Sequence, residues 1–206
     1  MNIFFLALCA TECAQMHGDK HVIKMILETA QMLSTIYRFV NGERPNIKTD
    51  KLRKLMEEKH PVVHKDDTWI VKCEESCGMK PYRMTHYKHG SVLWARQNVE
   101  NYIWLTQLGL ALCEEKLKRY PNNPPHKSQP LIEWFANNPP SSNYFDAPSS
   151  SFTPPYLAMP DNLKSENEEC TIENHIELYR KYYRSKQEEG IVFYKRIPER
   201  KPQWLN

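Results

Sequence analysis

Residues 19–41, DKHVIKMILETAQMLSTIYRFVN, decide the fold class. Val22, Ile26, Ala30, Leu33, Tyr37 and Val40 follow one another at spacings of 4, 4, 3, 4 and 3. That rhythm puts all six on one face of an α-helix and is incompatible with the two-residue period of a strand. Asn41-Gly42 supplies the stop. A second helix is predicted from about Ser91 to Arg119, ending before Pro121. Val92, Ala95, Val99, Tyr102 or Ile103, Thr106, Leu110 and Cys113 form one stripe, which Trp94, Leu105, Leu108 and Leu112 widen into the broad apolar face of a core helix. A third spans 166–189.

Outward from these helices the chain reads as mainly α, a single domain over 1–206 with long Pro-rich loops. The apolar run Ile3–Ala10 fits a short buried N-terminal strand or extended segment. The helical core is expected at about 1–41, 86–120 and 166–206. Segments 42–85 and 121–160 look like insertions: the first is polar, with a short helix near Thr49–Glu58, and the second holds one amphipathic piece, Leu131–Ala136. The balance of 15 Pro against 6 Gly favours helices joined by stiff loops over a protein of tight hairpins.

Composition excludes several classes. Aromatics at 11% are too many for a mostly disordered chain. A net charge of +3 excludes a histone-like polycation, yet it averages two opposite stretches: 161–177 has one Lys against six carboxylates, and 178–206 has eight basic residues against three acidic. Six cysteines in 206 residues are too sparse for a disulfide scaffold. The run after Ile3 lacks the basic flank of a secretory signal and is too short to span a bilayer. These points together predict an intracellular monomer with reduced thiols and no membrane partner.

His21, Lys24, Glu28, Gln31 and Thr35 step by 3, 4, 3 and 4 along the other side of the first long helix. Two readings stand here. A carboxylate flanked by Lys and His is an acid–base cluster, with Glu28 as the working group, Lys24 its charge partner and His21 a titratable donor. Equally, Lys24 and Glu28 are an ordinary i,i+4 pair on a solvated face.

The segment Asp19-Lys20-His21-Val22-Ile23-Lys24-Met25-Ile26-Leu27-Glu28 resembles the first-helix motif of the phage pyrimidine-dimer DNA glycosylases, in which Asp-x-His is followed seven residues later by the catalytic Glu. Lys88-His89-Gly90-Ser91-Val92-Leu93-Trp94 is similar to the His-x-x-x-x-Trp element of related phage and bacterial proteins. Arg200-Lys201-Pro202-Gln203-Trp204 and Tyr179-Arg180-Lys181-Tyr182-Tyr183 resemble the closing segments of the glycosylases. The resemblance covers about 40 positions in three islands, in the family's order. It implies a DNA glycosylase and AP lyase whose own α-amine attacks the sugar carbon of a damaged or modified pyrimidine nucleotide. An α-amine, with a pKa near 8 against about 10.4 for Lys, is the better Schiff-base nucleophile at neutral pH. The carboxylate role falls to Glu28 and a supporting role to His21, and the amine is that of Met1 or, once Met1 is removed, Asn2.

Basic and aromatic residues interleave in Tyr179, Arg180, Lys181, Tyr182, Tyr183 and Arg184, and again near Trp204. Such a surface stacks on bases and pairs with phosphates. The same tyrosines would equally serve as the apolar face of the last helix. With Lys24, His89 and Arg96 these residues make up the expected DNA interface. His60-x3-His64 followed by Cys73-x3-Cys77 offers four ligands for a structural zinc, alternatively a loop with free thiols; the chemistry itself requires no cofactor. Cys9 and Cys13 read as core thiols. Two other functions remain open at this level: a non-catalytic nucleic-acid-binding protein, and a base- or nucleotide-modifying enzyme using Glu28 and His21.

Overall fold

The computed structural model describes residues 2–45, 66–147, 151–164 and 170–206, together with Lys54 and Glu58. The described residues form a mainly α protein without strands. Its helices are α1 (Ala10–Gln15), α2 (Asp19–Val40), α3 (Thr68–Cys77), α4 (Gly90–Gln97), α5 (Val99–Arg119), α6 (Gln129–Asn137) and α7 (Ile172–Glu188). The helix expected at 49–58 falls outside the described residues except for Lys54 and Glu58, both helical and exposed.

The first long helix occupies nearly the residues its periodicity predicts, but it is buried on more than the apolar stripe. His21, Glu28 and Thr35 from the polar stripe are buried as well, and the solvent face narrows to Lys20, Ile23, Lys24 and Leu27. The solvated-face reading of that stripe is therefore corrected: the N-terminal segment and the 80s loop lie over it. Residues Ile3 to Ala7 are all buried, an extended segment rather than a strand. Thr35 Oγ1 both donates to the Thr85 carbonyl and accepts the Thr85 N–H.

The predicted helix 91–119 is two helices. Asn98 has extended backbone (φ −151°, ψ 169°), ends α4, and caps α5 by accepting the Asn101 N–H at 2.8 Å. Its short side chain competes with a helical backbone for donors, which is why an apolar stripe running through it does not keep the helix intact. Gly109 sits where α5 crosses α2 and α6; a Cβ there would lie 2.8 Å from Thr29 Cγ2 and 3.0 Å from Ile132 Cγ2. Close approach of the three helices needs that glycine.

Both insertion-like segments contribute to the core. Helix α3 was not foreseen; it ends at Gly78, whose φ of +71° supplies the left-handed stop, and buries Trp69 against Tyr37, Trp134 and Phe135. The amphipathic piece at 131–136 becomes α6, with Leu131, Ile132, Trp134 and Phe135 buried. The stretch from Phe152 to Pro160 then runs across α4 and α7, pinned by the Trp94 indole N–H on the Thr153 carbonyl and the Tyr179 hydroxyl on the Tyr156 carbonyl. No helix among the described residues is long and apolar enough to cross a membrane.

Candidate functional site around Glu28

Glu28 lies two turns along α2 from His21, about 10 Å in rise. The structure gives them different surroundings. One carboxylate oxygen of Glu28 accepts the main-chain N–H of Asn2 at 2.8 Å, and the other pairs with Lys24 Nζ at 3.4 Å. The Glu28 side chain is 12% exposed and that of Lys24 is 64% exposed. The main chain at Asn2 is thus held against a shielded carboxylate with a solvated cation beside it. Asn2 is fixed further by its side-chain amide, which donates to the Ala158 carbonyl at 3.0 Å.

Ala158 belongs to the wall of a cleft of about 490 Å³ that also takes in Lys88, His89, Tyr156, Lys164 and Tyr182. His89 is the N-cap of α4: its Nδ1 accepts the Ser91 N–H at 3.2 Å, which leaves the proton of the neutral ring on Nε2. Burial lowers the His89 pKa, and the negative charge of Glu28 pulls in the opposite direction. A neutral imidazole N–H, a Lys pair and a half-buried tyrosine line the cleft, and the Glu28 carboxylate lies within electrostatic reach of the imidazole. Such a set can donate to an oxygen, stabilise a cationic centre and move a proton, the requirements of general acid–base chemistry.

His21 faces the core. Its ring stacks on Phe4 (4.7 Å between centroids, 24° between planes), and its Nδ1 lies 2.9 Å from the Tyr183 hydroxyl, which accepts the Gly18 N–H. Burial, then the positive charge of Lys24, lowers its pKa to about 4. His17 is buried behind it, donating from Nδ1 to the Cys13 carbonyl, with Nε2 buried and unpartnered and its pKa lowered to about 3 by burial. Both imidazoles are neutral at pH 7. In the unfolded chain they protonate near 6.5, so between that value and their folded pKa values the unfolded state binds more protons and stability falls as pH drops. The melting temperature is expected to decline from pH 7 toward pH 4, with a shallower slope in His21→Gln. A slope unchanged by that substitution removes His21 as a source.

The expected nucleic-acid residues divide. Tyr179 and Tyr183 are fully buried, Tyr179 bonded to the Tyr156 carbonyl and Tyr183 within reach of His21, so neither offers a ring face to a base. Arg96 is buried over the Phe39 ring (3.9 Å) and paired with Asp146. Arg180 donates to the Leu6 carbonyl and Arg184 to the Trp204 carbonyl, and both guanidinium groups lie over the Trp204 ring. That cluster fastens the C-terminal residues onto α7. Lys24, His89, Lys181 and Tyr182 keep an exposed or half-exposed surface.

Of the predicted zinc ligands, Cys73 and Cys77 stand side by side on α3 with sulfurs 3.7 Å apart, and burial followed by the neighbouring Cys77 raises the Cys73 thiol well above its ordinary pKa. His60 and His64 lie outside the described residues. Among the described residues no three His, Cys, Asp or Glu side chains converge as a metal site. Cys13 is the core thiol expected, its pKa raised to about 12 by burial, whereas Cys9 is exposed, which corrects its assignment to the core.

Sequence reasoning missed Asn2's side chain as a site element, Lys88 and Lys164 on the cleft rim, and Tyr156 across its mouth. Asn2 and Ala158 are 156 residues apart, and nothing local marks that pairing. Comparisons with protein-family models, with curated proteins and with solved structures returned no match.

Proposed function

We propose that the protein is a DNA-processing glycosylase and AP lyase acting on damaged or modified pyrimidines, with the chain's N-terminal amine as nucleophile and Glu28 as the working carboxylate. The observation that carries this reading is the 2.8 Å contact between Asn2 N and Glu28 Oε2. A chain freed of Met1 would present that nitrogen as a primary amine beside a carboxylate; a chain that keeps Met1 would carry its amine one residue away. The amine attacks C1′ of the sugar as the bond to the base breaks, and opening of the C1′–O4′ ring bond gives the imine; at an abasic site the amine adds to the open-chain aldehyde and water leaves. Glu28 stabilises the cationic centre and relays the sugar proton that must depart for strand cleavage. His89, neutral with its proton on Nε2, is the donor available to the sugar or the departing base.

Lys24, Lys88 and Lys181 are exposed around this region and suit phosphate contact, with Tyr182 as the available ring. The resemblance of 19–28 to the glycosylase helix supports the same reading. Borohydride reduction of the protein incubated with a duplex carrying a pyrimidine dimer or an abasic site is expected to trap one covalent protein–DNA adduct. Peptide mapping places it at the N-terminus. Absence of an adduct on every lesion, with salt-sensitive binding retained, would replace this reading with a non-catalytic nucleic-acid-binding protein.

A further inference from the structure

A second cavity, of about 840 Å³, adjoins the His89 cleft and shares Tyr156, Leu157, Lys88 and Lys164 with it. Its walls are largely apolar, with Leu93, Trp94 and Leu157, and Lys88 and Lys164 stand at its edge. Cys170 and His175 line it together. Cys170 is exposed, and its sulfur lies 3.5 Å from His175 Nε2. The ring is oriented by its other nitrogen: Nδ1 lies 3.0 Å from the Pro155 carbonyl. A carbonyl can only accept, so Nδ1 carries a proton and Nε2 of the neutral ring presents a lone pair to the thiol. Nucleophile, base and the group that orients the base are thus in place, the arrangement that activates cysteine. Nothing in the Glu28 chemistry uses this pair.

The geometry points to Cys170 as a nucleophilic thiol site that takes small anionic disulfides, with His175 as its base and Lys88 and Lys164 as the recognition charges. In the reaction the Cys170 S–H proton passes to His175 Nε2 as the sulfur attacks one sulfur of the incoming disulfide. A new S–S bond forms to Cys170 and the original S–S bond breaks. The departing sulfur leaves as a thiolate and recovers the proton from His175, so Cys170 is oxidised and the leaving thiol reduced with no other reactant. The anionic preference follows from the rim. Lys88 is exposed, and Lys164 pairs with Asp161 at 2.8 Å, itself 96% exposed, so both ammonium groups can meet a carboxylate entering the cavity.

The test uses the full chain and glutathione disulfide, with each of the six cysteines followed by peptide mass mapping. Cys9, the other exposed thiol, is the internal reference. Cys170 is expected to form the mixed disulfide at least about tenfold faster than Cys9, and His175→Gln is expected to lower the Cys170 rate by a similar factor while leaving Cys9 unchanged. Equal rates at the two thiols in the unsubstituted protein would overturn the site without recourse to any variant. Cystamine, a cationic disulfide of similar reactivity, is expected to react with Cys170 more slowly than glutathione disulfide, and Lys88→Gln to narrow that gap. Cystamine reacting as fast as glutathione disulfide would overturn the anionic preference.

Discussion

Glu28→Gln is expected to abolish strand cleavage at a lesion while leaving DNA affinity within about twofold. The substitution keeps the volume of the side chain and one carbonyl oxygen, so the contact from Asn2 N, now 2.8 Å long, can persist. What it removes is the negative charge between Asn2 and Lys24 and the capacity to take a proton. General acid–base assistance alone contributes about 10²–10⁴ in rate, and loss of the charge that stabilises a cationic centre adds to it. On the proposed reading, affinity rests on the exposed lysines and not on Glu28. Cleavage measured on a defined lesion duplex, beside binding at two salt concentrations, separates the two effects. A variant that cleaves at an undiminished rate would exclude Glu28 from the chemistry, whatever happened to affinity. Lys24→Gln gives the complementary result: a modest fall in rate and a smaller salt slope, because Lys24 is solvated and its pairing with Glu28 is worth little on its own.

How much of this was legible in the sequence differs from element to element. Helix α2 was legible because its six apolar positions keep one period from Val22 to Val40 and an Asn-Gly stop follows. The break at Asn98 was hidden because the apolar stripe passes through it, and only the side chain's hydrogen bond to Asn101 N–H reveals a cap. Helix α3 escaped notice because only Trp69 and Cys73 of its ten residues are buried, too few to set a period. At the site, Glu28 could be singled out by its spacing from His21, yet that spacing placed both residues in one cluster. Burial separates them: one carboxylate faces Asn2 and Lys24, while the imidazole stacks on Phe4. The tyrosines of 179–183 carried both readings at once. Tyr182 shares the face of Leu178, Tyr179 and Tyr183 and packs on Phe4 as Tyr183 does, but it is only half-buried, and only the packed surface decides which ring keeps an exposed part. Cys170 and His175 gave no signal, since the carbonyl that orients the imidazole belongs to Pro155 in a distant loop.

The largest loss of stability is expected from Arg119→Met, and it concerns the same Asp-x-His opening by a different route. Arg119 is fully buried at its side chain and donates to four acceptors: the Gln15 carbonyl at 2.9 Å, the His17 carbonyl at 2.7 Å, Asp19 Oδ1 at 3.1 Å and Glu115 Oε1 at 3.0 Å. Asp19 in turn accepts the main-chain N–H groups of Lys195 and Arg196 with its other oxygen, and Glu115 accepts Arg200. One guanidinium thus ties the turn between α1 and α2, the end of α5 and the C-terminal stretch into a single charged knot. Asp19 opens the motif that resembles the glycosylases, but in this fold its carboxylate is spent on that knot and on the chain after Phe193. Methionine fills most of the space and satisfies none of the acceptors, leaving two carboxylates buried with one fewer cation between them. Breaking a buried pair in this way costs about 3–5 kcal/mol, against well under 1 kcal/mol for a solvated pair such as Arg184–Glu177. Arg119→Lys should recover only part of the loss, because an ammonium cannot reach four acceptors spread around a planar fork. Urea unfolding of the two variants measures both numbers. An Arg119→Met protein within 1 kcal/mol of the parent would mean that the two carboxylates find protons or water in the folded state, and the knot would then be a consequence of the packing and not its cause.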